Sequence, residues 1–99
     1  MNEAAVRQNG EGRLELSGEL DFDSVPRLWP ALRAHLGPGD PLSLSLAGVE
    51  QANSAALALL LEARERAQSC GRELRFEAVP DNLRELAELS GVRGLLGLD

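Results

Sequence analysis

Ser54 has the type and position best suited to chemistry. It stands where a loop gives way to a helix, directly after Asn53. A helix start offers free N–H groups and a positive dipole end, which favour a phosphate or another anion. A serine hydroxyl there can equally be a plain N-cap, so the residue reads as cap or as phosphoacceptor. The remaining candidates have simpler roles. His35 is the single histidine and falls near a helix C-terminus, where a cation is mildly favoured. Cys70 falls on a core face and reads as a small buried hydrophobe. Asp21 and Asp23 precede a helix, where capping accounts for them. Glu62 to Glu73 read as a solvated face, with Glu62 and Arg66 spaced as an i, i+4 pair. Gly10-Glu11-Gly12 is not a nucleotide fingerprint, since no helix follows it. No two acids are placed to face one pocket. The expectation is no catalytic residue, no metal ligand, no cofactor and no enzyme activity.

Composition narrows the classes further. The chain has 99 residues, 43% hydrophobic and 26% charged, which suits one soluble domain over 1–99. Aromatics are only 3%, so leucine must fill the core. All ten basic residues are arginine, and without lysine there is neither a Walker-type phosphate loop nor Schiff-base chemistry. A net charge of −6 opposes nucleic-acid binding. One cysteine makes no internal disulfide and fits a reducing compartment. Met1 to Ala5 carry no leader pattern. The longest apolar run, Ala55 to Leu61, is far short of the ~20 residues of a membrane span. These features predict a cytoplasmic protein with no membrane span.

These residues need elements to position them. Gly10-Glu11-Gly12 reads as a hairpin turn before a strand in which Leu14 and Leu16 share a face. Val25, Leu28, Trp29, Leu32 and Leu36 form one stripe of a helix opened by Asp21 to Ser24 and stopped by Gly37-Pro38-Gly39. Pro30 fits only if that helix starts late or bends. Pro41 to Leu46 alternate as a second strand, with a loop predicted over Ala47 to Ala52. Asn53 or Ser54 caps a long helix that ends near Cys70-Gly71, and a strand containing Leu74, Phe76 and Ala78 follows. A last helix opens at Pro80-Asp81-Asn82 and stops at Gly91, and the leucine-rich tail Val92 to Asp99 is expected to pack back as a turn or short helix. Helical crossovers imply parallel pairing of the later strands. Every strand alternates, so only one face is buried. The predicted architecture is a two-layer α/β sandwich, a four-stranded mixed sheet with helices mainly on one face.

The long helix departs from plain amphipathicity. Ala56, Leu59, Leu60, Ala63, Ala67 and Cys70 make its core face, yet Leu57, Ala58 and Leu61 project toward the other side, beside Ser54. Its first two turns therefore need a second burial partner. Either the tail (Leu95, Leu96, Leu98) covers them, or Ser54, Ala55, Leu57, Ala58 and Leu61 form a protein-binding surface.

Together these pieces resemble a STAS domain. The matching residues are Leu16-Ser17-Gly18-Glu19-Leu20-Asp21, Leu44-Ser45-Leu46-Ala47-Gly48-Val49 and Asn53-Ser54-Ala55-Ala56-Leu57-Ala58-Leu59-Leu60. The resemblance spans nearly the whole chain and places Ser54 at the position phosphorylated in anti-sigma-factor antagonists. Those antagonists usually read Asp-Ser-Ser-Gly-Leu there; here Asn53 replaces the Asp and Ala55-Ala56 replace Ser-Gly. Arg27-Leu28-Trp29 and the minimal length look more like MlaB-type STAS subunits of phospholipid ABC transporters. That resemblance implies a non-catalytic regulatory subunit bound to an MlaF-like ATPase, in a complex with permease and substrate-binding subunits. It also implies a place peripheral to the inner membrane through that complex. An anti-sigma-factor antagonist acting by serine phosphorylation is the alternative, and a small enzyme is the third.

Overall fold

The computed structural model describes residues 3–98. Met1 and Asn2, which opened the leader reading, and Asp99 of the tail lie outside the described residues. The element order is β1 (Ala5–Gln8), β2 (Arg13–Leu20), α1 (Ser24–Arg33), β3 (Leu42–Ala52), α2 (Ser54–Ser69), β4 (Leu74–Glu77), α3 (Asp81–Leu89) and α4 (Arg93–Leu96). The strands form one sheet in the order β1-β2-β3-β4. β1 pairs antiparallel with β2 through the Gly10 hairpin, while β2–β3 and β3–β4 are parallel. This is the predicted mixed sheet. Each helical crossover moves the chain one strand onward in the same direction, and right-handed crossovers of that kind stack all the helices on one face.

Alternation decides which strand face meets those helices. Leu14, Leu16, Leu42, Leu44, Leu46 and Leu74 are buried, while Glu15, Ser17, Ser43 and Ser45, which alternate with them, are only partly so. Phe76 is half-buried against the core. Leu28, Leu32 and Leu36 meet the same core from α1 and the turn after it, and Trp29 packs at its margin. α1 runs through Pro30, which leaves one carbonyl a turn earlier without its amide donor.

Two sequence readings of the strands need correction. β3 does not stop at Leu46; it runs to Ala52, and Ala52 still pairs with Leu20. Alternation is lost there because β3 carries extra residues against β2, between Ser45 and Gly48 and again between Val49 and Gln51. Each bulge resets which side chain faces inward. Ala78 is not a strand position: it is exposed and has φ +54°, a left-handed turn after β4. The tail is a short helix whose Leu96 and Leu98 are buried while Leu95 is exposed.

Arginine side chains tie the connections down. Arg72 donates to the carbonyls of Asp40 at 2.7 Å, Gly37 at 3.0 Å and His35 at 3.1 Å, holding the α1–β3 turn. Arg64 bonds the carbonyls of Leu74 and Leu96, and Arg84 and Arg93 both reach the carbonyl of Leu98, clipping the tail against α2 and α3. The expected Glu62–Arg66 pair is not among the ion pairs of the described residues; instead the Arg66 Nε is buried without a partner.

Candidate functional site at the start of the long helix

The C-terminal ends of β2 and β3 lie side by side, with Leu20 beside Ala52 and the Asn53 N–H donating to the Leu20 carbonyl at 3.2 Å. α2 rises from this corner. The Asn53 side-chain oxygen accepts a bond from the Ala55 N–H at 2.9 Å, so Asn53 is the N-cap. Ser54 is the first helical residue, and it is exposed. Between the two cap candidates, the structure thus chooses Asn53. The Ser54 hydroxyl makes no hydrogen bond among the described residues and is free for another group.

The proposed binding set divides. Ala55 and Leu57 are 5% and 6% exposed and belong to the buried interior, not to an outward surface. The reason is tertiary. α3 packs along α2, and Asn82 at its start donates to the Ala52 carbonyl at 2.8 Å, so α3 closes over this corner. The clipped tail also contacts α2. Leu61 is half-buried against the core. What remains outward is Ser54 and Ala58, one turn apart, with Leu61 at the margin. From Gln51 at the end of β3 through Leu61 in α2, the chain carries no charged side chain.

The β2–α1 loop completes this end of the molecule. The Asp21 carboxylate accepts the N–H groups of Ser24 at 2.8 Å and Asp23 at 2.9 Å. The Ser24 hydroxyl donates to the Glu19 carbonyl at 2.8 Å and accepts the Asp21 N–H at 2.9 Å. The bonds from the Ser24 and Asp23 amides hold the Asp21 carboxyl below its ordinary range, with a smaller contribution from Arg27. The Asp21 carboxylate thus fixes the turn into α1, whereas Asp23, the N-cap residue, makes no side-chain cap bond and pairs with Arg27 at 2.6 Å instead. Between them Phe22 stands 71% exposed. Sequence reasoning passed over it, although it lies off the helical stripe and between two acids. Beside the loop, an open groove of about 690 Å³ runs between the chain start and α1, and Glu3, Glu19, Asp21 and Asp23 line it; this corrects the reading that no two acids face one pocket, because strand pairing brings Glu3 beside residues far along the chain.

Other candidates sit apart. His35 is half-buried beyond the end of α1, where its carbonyl serves Arg72. Cys70 is the C-cap of α2 and partly exposed, not the core residue expected, because the helix ends there and the chain turns away at Gly71. Among the described residues no group of His, Cys, Asp and Glu could hold a metal ion. No helix of the described residues is long and apolar enough to cross a membrane.

Comparison with solved structures agrees with this fold. No curated protein matches the chain. Among solved structures, the anti-sigma factor antagonist SpoIIAA in its unphosphorylated form superposes with a TM-score of 0.66 at 11% identity, over 87% of this chain and 82% of that one. An anti-sigma-factor antagonist (STAS) domain protein from Planctomyces limnophilus gives 0.72 at 14% identity, over 93% and 86%. An anti-sigma factor antagonist from Mycobacterium paratuberculosis gives 0.70 at 23% identity, over 97% and 83%. At these identities the likeness is one of fold. The family model described as "Mlab, STAS domain" matches residues 4–97, and with nearly the whole chain covered, this protein belongs to the STAS-domain family.

Proposed function

We propose that this chain is a non-catalytic STAS subunit that docks on the ATPase of a phospholipid-transport ABC complex through the start of α2. The observation that carries the reading is the uncharged outward stripe of Ser54 and Ala58, with Leu61 at its edge. In a chain that is 26% charged, an outward helix face of small and apolar side chains is suited to close contact with a partner. The match to the family model that bears the Mlab description supports the transporter class. The same loop has Asn53 where antagonists usually carry an acid, so the phosphorylation site lacks its neighbouring carboxylate.

In this reading the domain works by surface and charge rather than by chemistry. An exposed Ser54 hydroxyl donates or accepts one bond at the centre of the contact, and Ala58 lets the partner backbone approach. A phosphate on Ser54 would bring about −1.5 to −2 charges into that contact, costly unless the partner offers an arginine. The test is co-purification of the ATPase with Ala58→Glu. Ala58 is exposed and glutamate is a good helix former, so the fold should survive. Loss of the ATPase with an unchanged thermal melt is the expected result. Full retention would refute the docking face. Substantial phosphate on Ser54 in cells, with an anti-sigma-factor kinase captured in place of the ATPase, would put the antagonist reading first.

A further inference from the structure

We infer that the docking surface extends from α2 onto the β2–α1 loop, where Phe22 is an anchor for a basic, arginine- or lysine-bearing face of the protein partner. The inference rests on the docking reading above only for the partner's identity.

Position comes first. Leu20 and Ala52 are paired at the ends of adjacent strands, so Phe22 and Ser54 each follow that pair by two residues. Phe22 and the start of α2 therefore leave the sheet at the same end, one strand apart. Its exposure is not explained by folding: at 71% exposed it contributes little to the core, in a chain with only three aromatic residues. Nor does the loop hold the ring out at random. Both neighbouring residues are fixed by the Asp21 and Ser24 bonds, so little backbone entropy remains to be lost on binding. A rigidly presented aromatic is the residue type that most often dominates an interface.

Charge says what covers it. The groove beside the loop is lined by Glu3, Glu19, Asp21 and Asp23, with Arg27 as its one cation, and Arg27 is already paired with Asp23. A second copy of this chain, at net −6, would meet repulsion here. A face bearing arginine or lysine matches both features: the cation lies over the ring of Phe22, and the carboxylates of Glu3 and Glu19 neutralise its neighbours.

The experiment compares wild type, Phe22→Ala and the double variant Glu3→Gln/Glu19→Gln for affinity to the purified ATPase, at two salt concentrations. A hexa-arginine peptide serves as a second probe that needs no ATPase. Phe22→Ala should weaken the ATPase complex about tenfold with an unchanged thermal melt, since the ring is exposed. The double variant should flatten the salt dependence. The peptide should bind wild type more tightly than Phe22→Ala. A chain that holds the ATPase equally well with or without Phe22 overturns this inference and leaves the α2 docking reading standing. A chain that binds the peptide through Phe22 but holds no ATPase keeps the basic-partner surface and overturns the transporter reading. Peptide binding that is indifferent to Phe22 overturns the anchor.

Discussion

The N-cap of α2 gives the sharpest test of how this site is built. Asn53→Ala removes the side-chain oxygen that accepts the Ala55 N–H at 2.9 Å. Losing such a cap costs about 1 kcal/mol, within a range of about 0.5–2. For a domain of this size, 1 kcal/mol corresponds to a fall in Tm of about 4–8 °C. Ser54→Ala, one residue on, removes a hydroxyl that caps nothing, so Tm should move by less than about 0.5 kcal/mol equivalent. Asn53→Asp keeps the acceptor and adds a negative charge at a helix start, favourable by about 0.3–1 kcal/mol. It should melt at or above the wild type. The assay is thermal unfolding by circular dichroism at neutral pH for all three variants, with urea unfolding as a check on two-state behaviour. A larger loss from Ser54→Ala than from Asn53→Ala would refute the assignment of the cap. It would also tie Ser54 to the fold and weaken its role as a free group at the interface.

Three further outcomes follow from the same geometry. Leu44 is fully buried at 0% exposure in a central strand, so Leu44→Ala should cost about 2–5 kcal/mol; a loss under about 1 kcal/mol by urea unfolding would mean that the site collapses freely. Gly18 has φ +85° and lies under the chain start, where an added Cβ would come within 2.3 Å of the Glu3 carbonyl oxygen; Gly18→Ala should lower Tm and increase amide exchange in β1, and unchanged exchange there would refute the close approach. The Asp21 carboxyl titrates below its ordinary value of 3.8 because it accepts the Ser24 and Asp23 amides. Its stabilising contribution is therefore complete above about pH 4 and is lost as pH falls through the lowered value. Asp21→Asn should flatten acid unfolding in that window, and an unaltered pH profile would show that the amide bonds do not favour the charged form.

Much of this architecture is written locally. Strict alternation in Leu14–Leu16 and Leu42–Leu46 requires a single buried face, and glycines at the hairpin and helix stops divide the chain where the elements divide. Crossover length forces parallel pairing. That reading breaks down where β3 bulges, because an extra residue destroys the period from which a strand is recognised. It also breaks down at Ala78, whose apolar side chain continues a pattern that the backbone has already left at φ +54°.

The site divides along the same line. Sequence alone marks the strand-loop-helix corner, the uncharged start of α2 and the choice between Asn53 and Ser54 as its cap, since these are matters of residue type and spacing. It also shows that Leu57, Ala58 and Leu61 lie off the main core stripe. Which of them stays outward is a tertiary matter, because helical period specifies direction and not what stands in that direction. The sheet presses on one side of α2, α3 packs along another, and Arg64, Arg84 and Arg93 pin the tail close by. Leu57 is thereby taken into the core, while Ser54 and Ala58 remain on the surface. Phe22 joins them through strand register alone: the pairing of Leu20 with Ala52 sets side by side two loops that are more than thirty residues apart in the chain.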